Sequence, residues 1–110
     1  QEHIQNELAS FIANCDWEKI APHFKEDAAY RVLDWLAVAG EHYPQVEIAQ
    51  KYFIENGDQG NSTVIGHQTK CSPRTAAFLN GIAGHVCELD DGHRTAIGHP
   101  GSIAVPTALA

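Results

Sequence analysis

Residues 72–89 read SPRTAAFLNGIAGHVCEL, an apolar stretch with the spacing of an α-helix. Ser72 is a residue type that caps helix N-termini, and Pro73 suits the first helical position. Apolar residues then recur every three or four positions to the end of the stretch, which predicts one long helix. Gly81 and Gly84 lie on this helix although each glycine costs about 1 kcal/mol relative to alanine. We therefore expect their face to pack very closely against another backbone.

Three upstream segments also have the periodicity of helices, namely residues 1–14, 22–40 and 44–57. Asp16 is a suitable N-cap for a brief helical turn over residues 17–20. In the second segment the apolar stripe that we expect to be buried consists of Ala28, Ala29, Val32, Leu33, Leu36 and Ala39. In the third segment the expected apolar face consists of Val46, Ala49, Tyr52 and Phe53.

Residues 61–66 read NSTVIG, a short β-prone run between polar flanks. We expect an extended loop or a short hairpin strand near residues 62–66, within an otherwise all-α fold. Residues 103–110 are apolar and end without a cap, and Gln1 is not an initiator methionine. Residues 1–110 are therefore predicted to be a fragment of a longer protein.

Composition excludes several functional classes. A formal net charge of −7 over 110 residues disfavours binding to nucleic acids and to anionic membranes. No apolar run approaches the roughly 18 residues that span a bilayer, and the polar N-terminus is unlike a signal peptide. The three cysteines form no CxxC pair, so we predict reduced thiols and a cytoplasmic location.

Residues 85–102 read HVCELDDGHRTAIGHPGS, a segment rich in acids and histidines. Such groups are costly beside an apolar helix unless they are solvated or used in chemistry. Neighbouring carboxyl groups raise one another's pKa, so one of Glu88, Asp90 and Asp91 is expected to exchange protons near neutral pH. A plain turn is the alternative interpretation of the Asp-Asp-Gly sequence, because these residues favour turns.

His99 precedes the sequence Pro-Gly-Ser, which is a candidate helix start. A helix that begins at Pro100 or Ser102 would present free backbone N–H groups, which favour carboxylates and phosphates. A histidine beside such a terminus is suited to bind an anionic substrate and to transfer a proton. Pro106 leaves a second alternative open, in which the helix begins at Val105.

A divalent-metal site is a competing interpretation of the same residues. His85 and Glu88 lie three positions apart on the predicted helix, a spacing found in helical metal sites. Asp91, His93 and His99 would complete such a ligand set. His85 also has a third interpretation, as a hydrogen-bonded histidine of the core.

The order of these motifs resembles the MmgE/PrpD family, from about Leu8 to the end of the chain. The residues that carry the resemblance are Arg31–Leu36 with Ala39-Gly40, Ser62–Gly66, Ala76-Ala77, Asn80-Gly81, His85, Glu88–Asp91 and His99–Gly101. The family includes 2-methylcitrate dehydratase, cis-aconitate decarboxylase and an iminodisuccinate epimerase. The resemblance implies a homodimer with a helical domain and a smaller α/β lid domain, and residues 1–110 would be the N-terminal part of the helical domain. It also implies a small polycarboxylate substrate, with no metal or other cofactor.

The resemblance also implies roles for individual residues. His99, Glu88 and Asp91 are the predicted catalytic residues. The predicted substrate-binding residues are His93, Arg94, Gly101 and Ser102. Two positions depart from the family pattern: Glu88 replaces an Asp, and Gly92 replaces the Thr of decarboxylase-like members. The second departure argues against cis-aconitate decarboxylase activity.

The expected function is therefore that of a lyase or isomerase that moves a proton α to a carboxylate. These 110 residues alone are expected to be inactive. The alternatives are a divalent-metal-binding helical module and a structural or dimerisation module without catalytic activity.

Overall fold

Five α-helices and one short β-hairpin follow one another along residues 2–110, the part of the chain that this computed structural model describes. This arrangement confirms the all-α prediction. The helices are α1 Glu2–Ala13, α2 Pro22–Ala39, α3 Pro44–Glu55, α4 Pro73–His85 and α5 Gly101–Leu109. The strands are β1 Ser62–Thr63 and β2 Lys70–Cys71. A 3₁₀ turn, Trp17–Lys19, is capped by the Asp16 carboxylate, as predicted.

α4 ends earlier than its apolar periodicity predicts. The last helical residue is His85, whereas the pattern continues to Leu89. The Glu88 backbone adopts a left-handed conformation with φ of 51°, and its N–H donates to the His85 carbonyl at 2.8 Å. A left-handed residue cannot continue a right-handed helix, so the chain turns away here.

Both glycines of α4 lie at close contacts, but only Gly81 meets another backbone, as predicted for both. A Cβ atom on Gly81 would lie 3.2 Å from the Ser102 carbonyl oxygen of α5. That carbonyl lacks an intrahelical donor, because α5 begins at Gly101 and Pro106 has no N–H group. Gly84 lies against the indole ring of Trp35 in α2.

The core surrounds α4, which contacts α2, α3, α5 and the hairpin. The predicted buried stripe of α2 is partly wrong. Leu33 is 63% exposed, whereas Trp35 and Ala39 are buried against α4. The apolar residues of α2 cover more of its circumference than α4 and α5 bury, so the positions of these two helices select the buried face. The core residues are Trp35, Ala39, Val46, Val64, Cys71, Ala76, Leu79 and Ala83.

A buried asparagine attaches the hairpin to α4. The strands are antiparallel, with Ser62 opposite Cys71. Asn80 is 1% exposed; its amide donates to the Thr63 carbonyl at 2.9 Å and its oxygen accepts from the Ile65 N–H at 2.8 Å. The side chain thus satisfies two backbone groups that the two-residue strands leave unpaired.

The amphipathic helix predicted at the N-terminus is present as α1. Its apolar side chains are exposed rather than packed on the core, and they are Ile4, Leu8, Phe11 and Ile12. None of the described helices has the length and apolar character needed to cross a membrane.

Candidate functional site

The loop between α4 and α5 brings His85 and His99 together. His85 is the last residue of α4, and His99 lies two residues before α5. Their imidazole rings meet edge to face, with centroids 4.7 Å apart and an interplanar angle of 62°. The two histidines are 14 positions apart in the sequence, and their rings meet because α5 folds back along α4.

The carboxylate of Asp90 lies at the centre of this pair, and its side chain is fully buried. Its two oxygens are each 3.1 Å from Nδ1 of His85. Nδ1 of His99 lies 3.2 Å from Oδ1, at ion-pair distance but without the alignment of a hydrogen bond. The Ser102 hydroxyl donates to Oδ2 at 2.6 Å. Asp90 thus holds two histidines and the first turn of α5 in one cluster.

The pKa of Asp90 is lowered. Burial alone would raise it, but hydrogen bonds from Ser102 and His85 to the ionised form outweigh burial. The expectation that crowding raises a carboxyl pKa is therefore wrong for this acid. Asp90 is therefore ionised at neutral pH and places a negative charge beside the two histidines.

An open groove of about 650 Å³ runs between α4 and α5 beside the cluster. This α4–α5 groove is lined by Ala77, Phe78, Gly81, Ile82, His85, Val86, His99, Ser102, Ile103, Pro106 and Thr107. The lining is apolar apart from the two imidazoles and the hydroxyls of Ser102 and Thr107. No Lys or Arg is among the described residues that line it. This part of the chain therefore presents imidazoles to the groove but no Lys or Arg side chain that could pair with an anionic substrate.

Asp91, predicted to be catalytic, holds the start of α5. Its Oδ1 accepts from the Gly101 N–H at 2.8 Å, and its Oδ2 lies 3.9 Å from a guanidinium nitrogen of Arg31. The Gly101 N–H, predicted to face an anionic substrate, is thus occupied by a side chain of this chain. Of the two helix starts that the sequence left open, the structure has the earlier one, because α5 begins at Gly101 and contains Pro106.

His93 and Arg94, predicted to bind substrate, line a second groove together with Asp91. This α2–loop groove, of about 890 Å³, lies between α2 and the loop that precedes α5. The imidazole Nδ1 of His93 accepts from the Ala96 N–H at 3.0 Å. Of the seven predicted site residues, only His99 and Ser102 line the α4–α5 groove.

Glu88 is exposed on the turn that ends α4 and lies in neither groove.

The structure also changes the set of residues that could bind a metal ion. Within the described residues, His85, Asp90 and His99 each offer a ligand atom, and these atoms all lie within 4.8 Å of one another. Glu88, Asp91 and His93 are not part of this group.

Asp90 and His85 belong to the cluster but are not among the residues predicted to be catalytic or substrate-binding. The sequence feature that could have identified them is the five-residue spacing from His85 to Asp90 across a helix end. That feature was missed because the helix was predicted to continue to Leu89. A second pair of histidines lies outside the cluster: His67 stacks on His42, with ring centroids 5.2 Å apart. Burial and the neighbouring His42 lower the pKa of His67.

Comparison with known proteins identifies the family of this chain. The N-terminal domain of the MmgE/PrpD family matches residues 6–110. The chain belongs to the MmgE/PrpD family. This MmgE/PrpD chain is 30% identical over 110 residues to the cis-aconitate decarboxylase-like protein oryM of Aspergillus oryzae. The alignment covers 98% of the chain and 23% of that relative, so the chain spans about a quarter of the relative's length. No solved structure matches this MmgE/PrpD chain.

Proposed function

We propose that the complete protein carrying this chain is a cytoplasmic, homodimeric lyase or isomerase that transfers a proton α to a carboxylate of a small di- or tricarboxylic acid. One observation carries the proposal: a buried, ionised Asp90 lies within 3.2 Å of the nitrogens of two histidines at the edge of a groove. Membership of the MmgE/PrpD family supports the reaction class.

The cluster supplies a base and an acid from the same pair of side chains. A neutral imidazole, from His99, accepts the α-proton, and the electron pair of the broken C–H bond moves onto the substrate carboxylate. The Asp90 carboxylate stabilises the imidazolium that forms, because opposite charges at about 3 Å attract strongly in a partly buried site. An isomerisation is completed when an acid from another part of the complete protein returns a proton to the opposite face of the substrate.

The lyase outcome uses His85 as the acid. The electron pair forms a carbon–carbon double bond, and a β-hydroxyl leaves as water with a proton from a protonated His85. No group of residues 2–110 hydrogen-bonds Nε2 of either histidine, so both nitrogens are free to meet a substrate. Ser102 keeps the Asp90 carboxylate oriented during the transfer.

The other residues that were predicted to be catalytic or substrate-binding do not transfer the proton in this proposal. Asp91 positions His99 by holding the start of α5, two residues further along the chain. His93 and Arg94 line the α2–loop groove, and Glu88 is exposed. The α4–α5 groove carries no Lys or Arg, so the carboxylates of a polycarboxylate need cations from other parts of the complete protein. Residues 1–110 alone are therefore proposed to be inactive, and turnover by this segment would contradict the proposal.

The test is an assay of the complete protein against 2-methylcitrate, cis-aconitate and iminodisuccinate. His99→Ala and Asp90→Asn should each lower kcat by about 10²- to 10⁴-fold, the usual contribution of a proton-transfer group. His23→Ala is the matched control, since His23 is an exposed histidine of α2. Full activity of His99→Ala on a substrate that the wild type converts would overturn the proposal.

The homodimer has its own test. Ile103 and Leu109 of α5 are exposed, at 73% and 51%, and provide apolar surface for an interface. Sedimentation of the complete protein should give twice the mass of one chain, and a monomer at micromolar concentration would contradict this part of the proposal.

A further inference from the structure

We propose that His85, Asp90 and His99 also bind one transition-metal ion of the Zn²⁺ type, and that the bound ion suppresses proton transfer at this site. The binding stands on the geometry of the three side chains alone. The suppression rests on the function proposed above. The ion acts here as an inhibitor: coordination at Nδ1 leaves the ring proton on Nε2, which then cannot accept a proton from the substrate. The reaction itself does not use the ion.

The ligand types select this class of ion. Two imidazoles and one carboxylate suit Zn²⁺ and its neighbours in the first transition series, whereas Mg²⁺ and Ca²⁺ prefer sets made of oxygens alone. The Asp90 side chain is fully buried, so one carboxylate ligand is already desolvated and in place.

The distances fit a tetrahedral ion. Ligands that lie about 2.0 Å from Zn²⁺ in a tetrahedron are about 3.3 Å from one another. Oδ1 of Asp90 is 3.1 Å from Nδ1 of His85 and 3.2 Å from Nδ1 of His99. Bringing the three ligands onto one ion therefore needs side-chain adjustments of a few tenths of an ångström along these two edges.

His99 supplies a second, independent observation. Its Nδ1 atom is buried but has no hydrogen-bond partner within the described residues, even though a carboxylate oxygen lies 3.2 Å away. A buried polar atom without a partner is costly. A metal ion would satisfy that nitrogen, because coordination uses a lone pair and does not require the alignment of an N–H with the carboxylate.

The surroundings complete a site of the open kind. Ser102 donates to the Asp90 oxygen Oδ2 at 2.6 Å and so orients the carboxylate. His85 and His99 line the α4–α5 groove, which gives an ion a path of entry and leaves its fourth position to water.

The binding test titrates Co²⁺, a coloured substitute for Zn²⁺, into the complete protein. We expect one equivalent to bind with the visible spectrum of tetrahedral Co²⁺ and to be displaced by Zn²⁺ but not by Mg²⁺. His85→Ala and His99→Ala should abolish this spectrum. Ser102→Ala, which keeps all three ligands, should weaken binding about 10-fold or more.

His42→Ala is the matched control, because His42 and His67 form the other pair of histidine rings in contact among the described residues. Loss of the Co²⁺ spectrum in His42→Ala, or an unchanged spectrum in His99→Ala, would overturn the proposed site. Circular dichroism of each variant establishes that α-helical structure is retained.

The suppression test measures turnover against free Zn²⁺. Inhibition should follow the same dissociation constant as the displacement of Co²⁺ and should be reversed by a chelator. Unchanged turnover at saturating Zn²⁺ would overturn the suppression. A protein that binds Co²⁺ through His85 and His99 but converts none of the substrates would contradict the proposed function while supporting the metal site.

Discussion

The indole ring of Trp35 packs directly on the backbone of Gly84, where α2 crosses α4. Trp35 is 2% exposed, so the ring has no room to move aside. A Cβ atom on Gly84 would overlap the indole nitrogen and its neighbouring carbons. The contact explains why a residue that weakens helices lies inside α4.

Gly84→Ala should destabilise the protein by about 1–3 kcal/mol, the usual cost of overpacking a core. Urea denaturation measures the change. Gly92→Ala is the matched control, because a Cβ atom there meets nothing within 4 Å and the backbone is not left-handed. That control should gain about 0.4–1 kcal/mol through a less flexible unfolded chain. Equal effects of the two substitutions would show that the Trp35 contact is not the cause.

Asn80→Ala should destabilise the protein by about 2–4 kcal/mol, because the Thr63 carbonyl and the Ile65 N–H both lose their partner. Asn80→Asp keeps an acceptor for the Ile65 N–H but cannot donate to Thr63, so it should also be destabilising. Thermal unfolding measures both variants. Asn61→Ala, at an exposed position of the same segment, should change the stability by less than about 0.5 kcal/mol. A small effect of Asn80→Ala would mean that water replaces both hydrogen bonds.

Asp58 should make stability depend on pH in the acidic range. The side chain and backbone of Ser72, followed by Thr75, donate hydrogen bonds to its carboxylate and lower its pKa below the ordinary 3.8. A lowered folded-state pKa contributes stability that is present above the unfolded value and is lost as the pH falls through the folded value.

The free energy of unfolding of the wild type should therefore fall more steeply between about pH 5 and about pH 2 than that of Asp58→Asn. Denaturant titrations across this range measure the difference. Asp34→Asn, at an exposed position of α2, is the control and should retain the slope of the wild type. Parallel curves for the wild type and Asp58→Asn would rule out this role of Asp58.

Glu88→Gly separates backbone strain from catalysis. Glu88 has φ of 51°, a conformation that costs a residue with a Cβ atom about 1 kcal/mol relative to glycine. The substitution should therefore raise the melting temperature. If Glu88 is catalytic, as the family resemblance implies, kcat should fall although the protein is more stable. Unchanged kcat in a stabilised Glu88→Gly variant would remove Glu88 from the catalytic set.

Local signals in the sequence account for most of the fold. Pro22, Pro44 and Pro73 each occupy the first turn of a helix, and Ser72 caps the start of α4. These signals act within a few residues, so they are readable without any knowledge of the partners. The faces that helices bury are less readable. Leu33 and Trp35 are both apolar, and the position of Gly84 on a different helix selects Trp35.

For the candidate site too, some features follow from the sequence and others only from the tertiary structure. The sequence by itself determined the family, the helical class and the dense segment of acids and histidines, because these depend on residue types and their order. Only the tertiary structure decided which carboxylate lies beside His99. Asp90 and Asp91 are neighbours in the chain, but the left-handed turn at Glu88 and the return of α5 direct Asp90 to the two histidines and Asp91 to the Gly101 N–H. Adjacent side chains in a turn point in different directions, and sequence order carries no information about those directions.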